Sequence, residues 1–118
     1  MSTSTHARPV DLEHLARYTG GDAALNAEIL QLFARQSADL MIQLQAVLEK
    51  HDLKAWKEIT HSLKGAARGI GAFALADAAA SAEPVLPASD NLSAVRALQE
   101  LKTQSEIVQW FIGSYLAA

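Results

Sequence analysis

Apolar residues recur every three or four positions along most of the chain, a spacing typical of α-helices that bury one face. One such run begins after Asp22 and lasts until about His51, and a second begins after Asp52 and lasts until about Arg68. Aspartate favours the N-cap position because its carboxylate accepts hydrogen bonds from the unpaired N–H groups of the first turn. The pattern therefore predicts two consecutive helices with Asp22 and Asp52 as their caps.

Three more helices follow from the same spacing and from the residues that interrupt it. A short helix is predicted over residues 11–19, an alanine-rich helix over 73–83, and a last helix from residue 90 or 91 to about 116. Gly20 and Gly21 end the short helix, because glycine tolerates the left-handed closing conformation. Pro84 and Pro87 require a loop between the last two helices.

These elements predict an all-α fold, namely an antiparallel four-helix bundle with an additional short N-terminal helix. The apolar positions are predicted to share one core, which includes Leu25, Leu32, Leu53, Val95, Trp56, Trp110, Phe111 and Tyr115. A chain of 118 residues is the usual size of one domain. We expect a flexible polar tail over residues 1–8 and a single bundle domain over residues 9–118.

Composition excludes several classes of function. The chain has no cysteine, which excludes disulfides, thiol catalysis and cysteine-based zinc sites. No pair of histidines has the i, i+4 spacing of a helical zinc site, and no glycine-rich phosphate loop is present, so neither a metal nor ATP is expected. No apolar segment approaches the roughly 20 residues needed to cross a bilayer. We therefore expect a cytoplasmic protein that contacts no membrane, and we expect a monomer because one bundle can bury its own core.

The most distinctive polar feature is a basic face around His61 on the predicted third helix. At about 100° per residue, four basic side chains lie within roughly 60° of His61 around the helix axis. They are Lys54, Lys57, Lys64 and Arg68. The apolar residues of this helix lie on the opposite side, so His61 is predicted to face solvent. Gly65, one turn further, leaves space beside the imidazole for the approach of another protein.

This arrangement suits phosphoryl chemistry, although spacing alone does not establish it. A neutral imidazole is a nucleophile that can accept a phosphoryl group, and nearby cations attract phosphate oxygens. However, exposed helix faces commonly carry lysine and arginine, and a single surface histidine is usually only solvated. A helical binder of nucleic acid could also use such a basic face, but the net charge of −3 and the small size of the patch argue against it.

The sequence His61-Ser62-Leu63-Lys64-Gly65, followed by Gly71-Ala72, resembles the signature of histidine-containing phosphotransfer (HPt) domains. The family pattern is H-x-L-K-G with a G-A pair that begins ten residues after the histidine, and this chain satisfies it in register. Leu75 and Glu83 are similar to the family's usual downstream residues.

The resemblance implies a function and a set of site residues. His61 would accept a phosphoryl group from a receiver-domain aspartate or a histidine-kinase relay and pass it to another receiver aspartate. The expected partners are thus response-regulator receiver domains and a histidine kinase. No cofactor is expected in this chain, because the receiver would supply the magnesium, and no ATP-dependent kinase activity is expected. Residues near the phosphoryl group would be Lys57, Lys64, Gly65 and Arg68, and the residues that dock partners would be Phe33, Gln36 and Lys54. The helical spacing of Phe33 equally allows a place in the core.

An alternative is a helical docking or regulatory module that binds receivers without transferring a phosphoryl group. The remaining histidines, His6, His14 and His51, are interpreted as structural or solvated. Asp77 and Glu83 could form an acid/base pair, but residues six apart project about 120° apart on an ideal helix. The two are therefore interpreted as surface carboxylates.

Overall fold

The structure, a computed structural model, describes residues 8–118 and contains five α-helices in that part of the chain. They are α1 (Leu12–Thr19), α2 (Ala23–Lys50), α3 (Leu53–Gly69), α4 (Phe73–Ala82) and α5 (Asn91–Ala117). No strand occurs among these residues. The predicted all-α fold is therefore confirmed. Most of the predicted tail, including His6, lies outside the described residues.

Four helices form the bundle, and α1 covers one end of it. α3 packs between α2 and α4, and α5 packs against the same two helices from the opposite side. The short α1 contacts α2. No helix in residues 8–118 combines the length and the apolar character that crossing a bilayer would require.

Aspartate caps determine where four of the five helices begin. Asp11, Asp22, Asp52 and Asp90 each accept a hydrogen bond from a first-turn backbone N–H at 3.0 to 3.1 Å. Such caps stabilise a helix by about 1 kcal/mol each. The cap of α5 is Asp90, and Asn91 is the first residue of this helix.

α2 ends at a histidine in the left-handed conformation. His51 has a φ of 56°, and its backbone N–H bonds the carbonyl of Leu48. Its Nδ1 lies 3.2 Å from the carbonyl oxygen of Pro87, which is buried in the loop between α4 and α5. His51 thus connects the end of α2 to that loop, in agreement with a structural role.

The turn between α3 and α4 depends on Gly71. Its φ is 82°, a region that residues with a Cβ rarely adopt. The backbone N–H of Asp11 donates to the Gly71 carbonyl oxygen at 2.9 Å. A Cβ atom on Gly71 would lie only 2.7 Å from the Asp11 carbonyl oxygen. This close backbone contact holds the start of α1 against the turn after α3.

The core follows the predicted apolar faces with several corrections. Trp56 is fully buried, and its indole N–H donates to the Ala82 carbonyl oxygen at 2.8 Å. Phe111 and Tyr115 are partly buried against the core. The prediction that Trp110 is buried was wrong, because its side chain is 73% exposed. Exposed as well are four other residues that the sequence placed in the core: Leu25, Leu32, Leu53 and Val95.

The reason for the Trp110 error is its position on α5. Val108 and Ile112, four residues apart, lie on the buried face of this helix. Trp110 stands midway between them in sequence, so it projects about 200° away from each and points outward.

Candidate functional site

His61 lies in the middle of α3, on the side that faces away from the core. Its side chain is 66% exposed, whereas Thr60 and Leu63 on the same helix are fully buried. The geometry follows from helix periodicity, since Leu63 and Ile59 flank His61 by two residues and project to the opposite face. An imidazole at this position can be reached by another protein.

Glu83, directly after α4, completes the polar environment of His61. The Nδ1 atom of His61 lies 3.3 Å from Glu83 Oε2. Lys64 Nζ donates to the other carboxylate oxygen, Oε1, at 2.7 Å. The two helices run side by side, so α4 brings Glu83 next to a histidine that precedes it by 22 residues. One carboxylate therefore contacts both the imidazole and the lysine.

The charge state of Glu83 determines which imidazole nitrogen carries a proton. The hydrogen bond from Lys64 is the main reason that the pKa of Glu83 is lowered from its ordinary value. Partial burial opposes this effect, and the charge of His61 adds a smaller lowering. An ionised Glu83 can only accept hydrogen bonds, so when the imidazole is neutral this contact favours the tautomer that carries its proton on Nδ1. The Nε2 atom keeps its lone pair and is available as a nucleophile.

The sequence interpretation of Glu83 as a surface carboxylate was incomplete. It is partly buried and bonded to two residues of α3, although the sequence marked it only as a family-like position. The signal that pointed to Glu83 was its similarity to a usual residue of the family. Helical spacing could not have found it, because spacing within one helix does not relate α3 to the end of α4. Asp77, the other carboxylate considered, lies in a groove between α4 and α5.

The remaining predicted site residues lie on or beside the same face. Lys54, Lys57 and Arg68 are exposed on α3. Lys64 is less exposed than a solvent-facing lysine, at 20% of its side chain, because it leans toward Glu83. Gly65 is exposed, and a Cβ atom built on it would meet nothing within 4 Å. The surface next to His61 is therefore open.

The two α2 residues predicted to dock partners have different environments. Gln36 is exposed and lines a groove that α2 forms with α3. Phe33 is only 3% exposed and belongs to the core. Of the two places considered for Phe33, the structure supports the core and not the docking surface, because its ring points between the helices and offers almost no area to a partner.

The other two histidines in the described part of the chain have structural contacts, His14 with aromatic rings and His51 with a backbone carbonyl oxygen. His14 packs edge-on against Phe73, with ring centroids 5.1 Å apart, and against Tyr18. Across residues 8–118, no three side chains of the types that bind metals come close enough together to hold an ion.

Comparison with known proteins assigns the class. The model of the Hpt domain family matches residues 28–110, which is well over half of the chain. The chain therefore belongs to the Hpt domain family, the histidine phosphotransfer proteins of phosphorelays.

A solved structure with the same fold is histidine-containing phosphotransfer protein B from Pseudomonas aeruginosa PAO1. The superposition has a TM-score of 0.84 at 22% sequence identity, and it covers 94% of this chain and 96% of the other. At that identity the likeness concerns the fold alone. A search of curated proteins found no match.

Proposed function

We propose that His61 carries the phosphoryl group, accepting it from an aspartyl phosphate on one receiver domain and returning it to the aspartate of another. The observation that supports this most directly is the pairing of an exposed imidazole with Glu83 through Nδ1. Lys64 and the open surface at Gly65 lie beside it. Family membership supports the same residue, because the family signature contains His61. We also propose that a histidine kinase is a partner of this chain.

The transfer step can be written with the residues of this chain. The Nε2 lone pair attacks phosphorus, the bond between phosphorus and the receiver carboxylate breaks, and the carboxylate leaves with the bonding electrons. The product ring bears its proton on Nδ1 and a phosphoryl group on Nε2, so it gains positive charge. Glu83 stabilises that charge through the Nδ1–H hydrogen bond. The return step reverses these bonds on a second receiver.

Lys64 can contribute to the same step. Its ammonium has three N–H donors, of which the Glu83 contact uses one. A phosphoryl group on Nε2 would add three acceptor oxygens within the same neighbourhood. The lysine can then share its donors between Glu83 and the phosphoryl group and offset its negative charge.

The proposal is tested by incubating the protein with a receiver domain whose aspartate has been phosphorylated with radiolabelled acetyl phosphate and Mg²⁺. We expect the label to leave the receiver and to appear on this chain in a form that is acid-labile and alkali-stable. Mass spectrometry at alkaline pH should map it to His61. Label on a different residue would overturn the assignment, and stable binding without any transfer would favour the non-transferring docking module.

Removing the Lys64 ammonium should slow the transfer without unfolding the bundle. We expect Lys64→Ala to lower the transfer rate constant about tenfold, within the usual effect of one charge-assisted contact. Circular dichroism should show the wild-type helix content. Lys102→Ala, at an exposed position on α5, is the matched control and should transfer at the wild-type rate. Equal rates for all three proteins would show that Lys64 does not act on the phosphoryl group.

Glu83 should determine the tautomer of His61. In Glu83→Ala the Nδ1 proton loses its acceptor, so the Nε2–H form becomes populated and transfer should slow by about tenfold. Ring ¹⁵N chemical shifts of the neutral imidazole report the tautomer directly. Glu83→Gln keeps an acceptor oxygen and should retain the Nδ1–H form. An unchanged tautomer in Glu83→Ala would contradict this role.

The pH dependence of the Glu83 contacts has a defined sign. The pKa of Glu83 is lower in the folded protein than its ordinary value, mainly because of Lys64. The stability that these contacts add is therefore present above the ordinary value and is lost as the pH falls through the lowered one.

We also propose that residues 9–118 act as one domain, since α2 to α5 share a single core. The monomeric state and the cytoplasmic location remain predictions.

A further inference from the structure

A groove of about 300 Å³ lies between α2 and α3, next to the row of α3 residues that contains His61. It is lined by Gln36, Asp39 and Leu40 of α2 and by Ser62 and Ala66 of α3. Leu40 and Ala66 provide an apolar floor, and Asp39 is the one charged residue in the lining.

The groove is continuous with the face of His61. Ser62 and Ala66 are four residues apart and form the surface row adjacent to the row of His61 and Gly65. Because Gly65 has no side chain and nothing lies within 4 Å of the position of its Cβ, no barrier separates the two rows. A protein that reaches Nε2 of His61 would therefore also cover this groove.

The charges on the two sides of His61 differ. On the α4 side, Lys64 is paired with Glu83. On the α2 side, the carboxylate of Asp39 accepts a hydrogen bond from Gln43 at 3.1 Å, and within residues 8–118 it has no cationic partner. Covering an ionised carboxylate without a partner is unfavourable, whereas covering it with a cation is favourable. A docking protein would therefore be selected for positive charge at this position.

We propose that the groove binds a lysine or arginine side chain of the receiver domain, and that Asp39 selects among receivers on this basis. The aliphatic stem would pack on Leu40 and Ala66, and the cationic head would pair with the Asp39 carboxylate. This inference rests on the proposed phosphotransfer at His61. It adds that partner choice is set on α2, apart from the residues that handle the phosphoryl group.

The test compares wild-type protein, Asp39→Lys and Glu106→Lys with a set of phosphorylated receiver domains encoded in the same genome. Glu106 is exposed on α5, which contributes no residue to the lining of the groove. This control therefore makes the same change of charge outside the groove. With the receiver that the wild type uses best, Asp39→Lys should lower transfer at subsaturating receiver by about tenfold or more. The rate at saturating receiver should remain near that of the wild type, because His61, Lys64 and Glu83 are intact.

A charge exchange gives the complementary result. The groove-facing lysine or arginine of that receiver, replaced by glutamate, should impair transfer with the wild type and recover it with Asp39→Lys. Equal transfer by Asp39→Lys and the wild type across the set would overturn the inference while leaving the phosphotransfer function intact. An equal loss in Glu106→Lys would also overturn it, since the effect would then come from net charge. Absence of label on His61 in the wild type would instead refute the proposed function itself.

Discussion

Replacing His61 with glutamine should abolish phosphoryl labelling by a phosphorylated receiver, which is the largest functional effect we expect from any single substitution. Glutamine keeps a polar side chain of similar length but has no nucleophilic nitrogen, because the lone pair of an amide nitrogen is delocalised. The His61 side chain is 66% exposed, so the variant should fold with the wild-type stability to within about 0.5 kcal/mol. Loss of label can then be attributed to the missing nucleophile.

The matched control is His51→Asn. His51 lies at the C-terminal end of α2, and it adopts a left-handed conformation that asparagine also tolerates. This variant should be labelled at the wild-type rate. Labelling of His61→Gln in the same assay would show that another side chain accepts the phosphoryl group, and it would remove the basis for the roles of Glu83 and Lys64.

Replacing Gly71 with alanine should cause the largest loss of stability among the glycine substitutions. The new residue would have to adopt a φ near 82°, and its Cβ would lie 2.7 Å from the backbone oxygen of Asp11. Backbone oxygen cannot move aside as the end of a flexible side chain can. We expect the free energy of unfolding to fall by about 2–4 kcal/mol, combining conformational strain with the displacement of α1. Urea denaturation monitored by circular dichroism measures this loss.

Gly65→Ala provides the control for the same chemical change. Gly65 lies inside α3, has no positive φ, and has open space around the position of its Cβ. Alanine there should raise the free energy of unfolding by up to about 1 kcal/mol, because it favours the helix more than glycine does. The two substitutions are thus expected to have opposite signs. A Gly71 variant as stable as the Gly65 variant would disprove the account of the α3–α4 turn.

The helix boundaries were predictable because the signals that set them are local. An aspartate at an N-cap bonds an N–H group two or three residues away, as Asp52 bonds Ala55. Gly20 closes α1 with a φ of 65° through a bond to Ala16. Such interactions depend on neighbours in sequence and need no knowledge of the rest of the fold. The all-α class followed from them together with apolar periodicity.

Burial was less predictable at the edges of each apolar face. Periodicity indicates the direction of a helix's apolar side but not the width of the arc that its neighbours cover. Leu32 and Trp110 lie outside the covered arc and are exposed, whereas Phe33 lies within it. For the two α2 residues, Leu32 and Phe33, the packing of α2 between α3 and α5 decides the outcome, and the sequence of α2 alone does not contain that information.

The sequence by itself determined the helices, the exposed face that carries His61, and, through the family signature, the phosphotransfer class. Only the tertiary structure decided that Glu83 meets His61 and Lys64, and that Asp39 lies in a groove between α2 and α3. The physical reason is the range of each interaction. Capping and helical periodicity act over a few residues of one chain segment, whereas these contacts join separate helices whose relative positions arise only when the core packs.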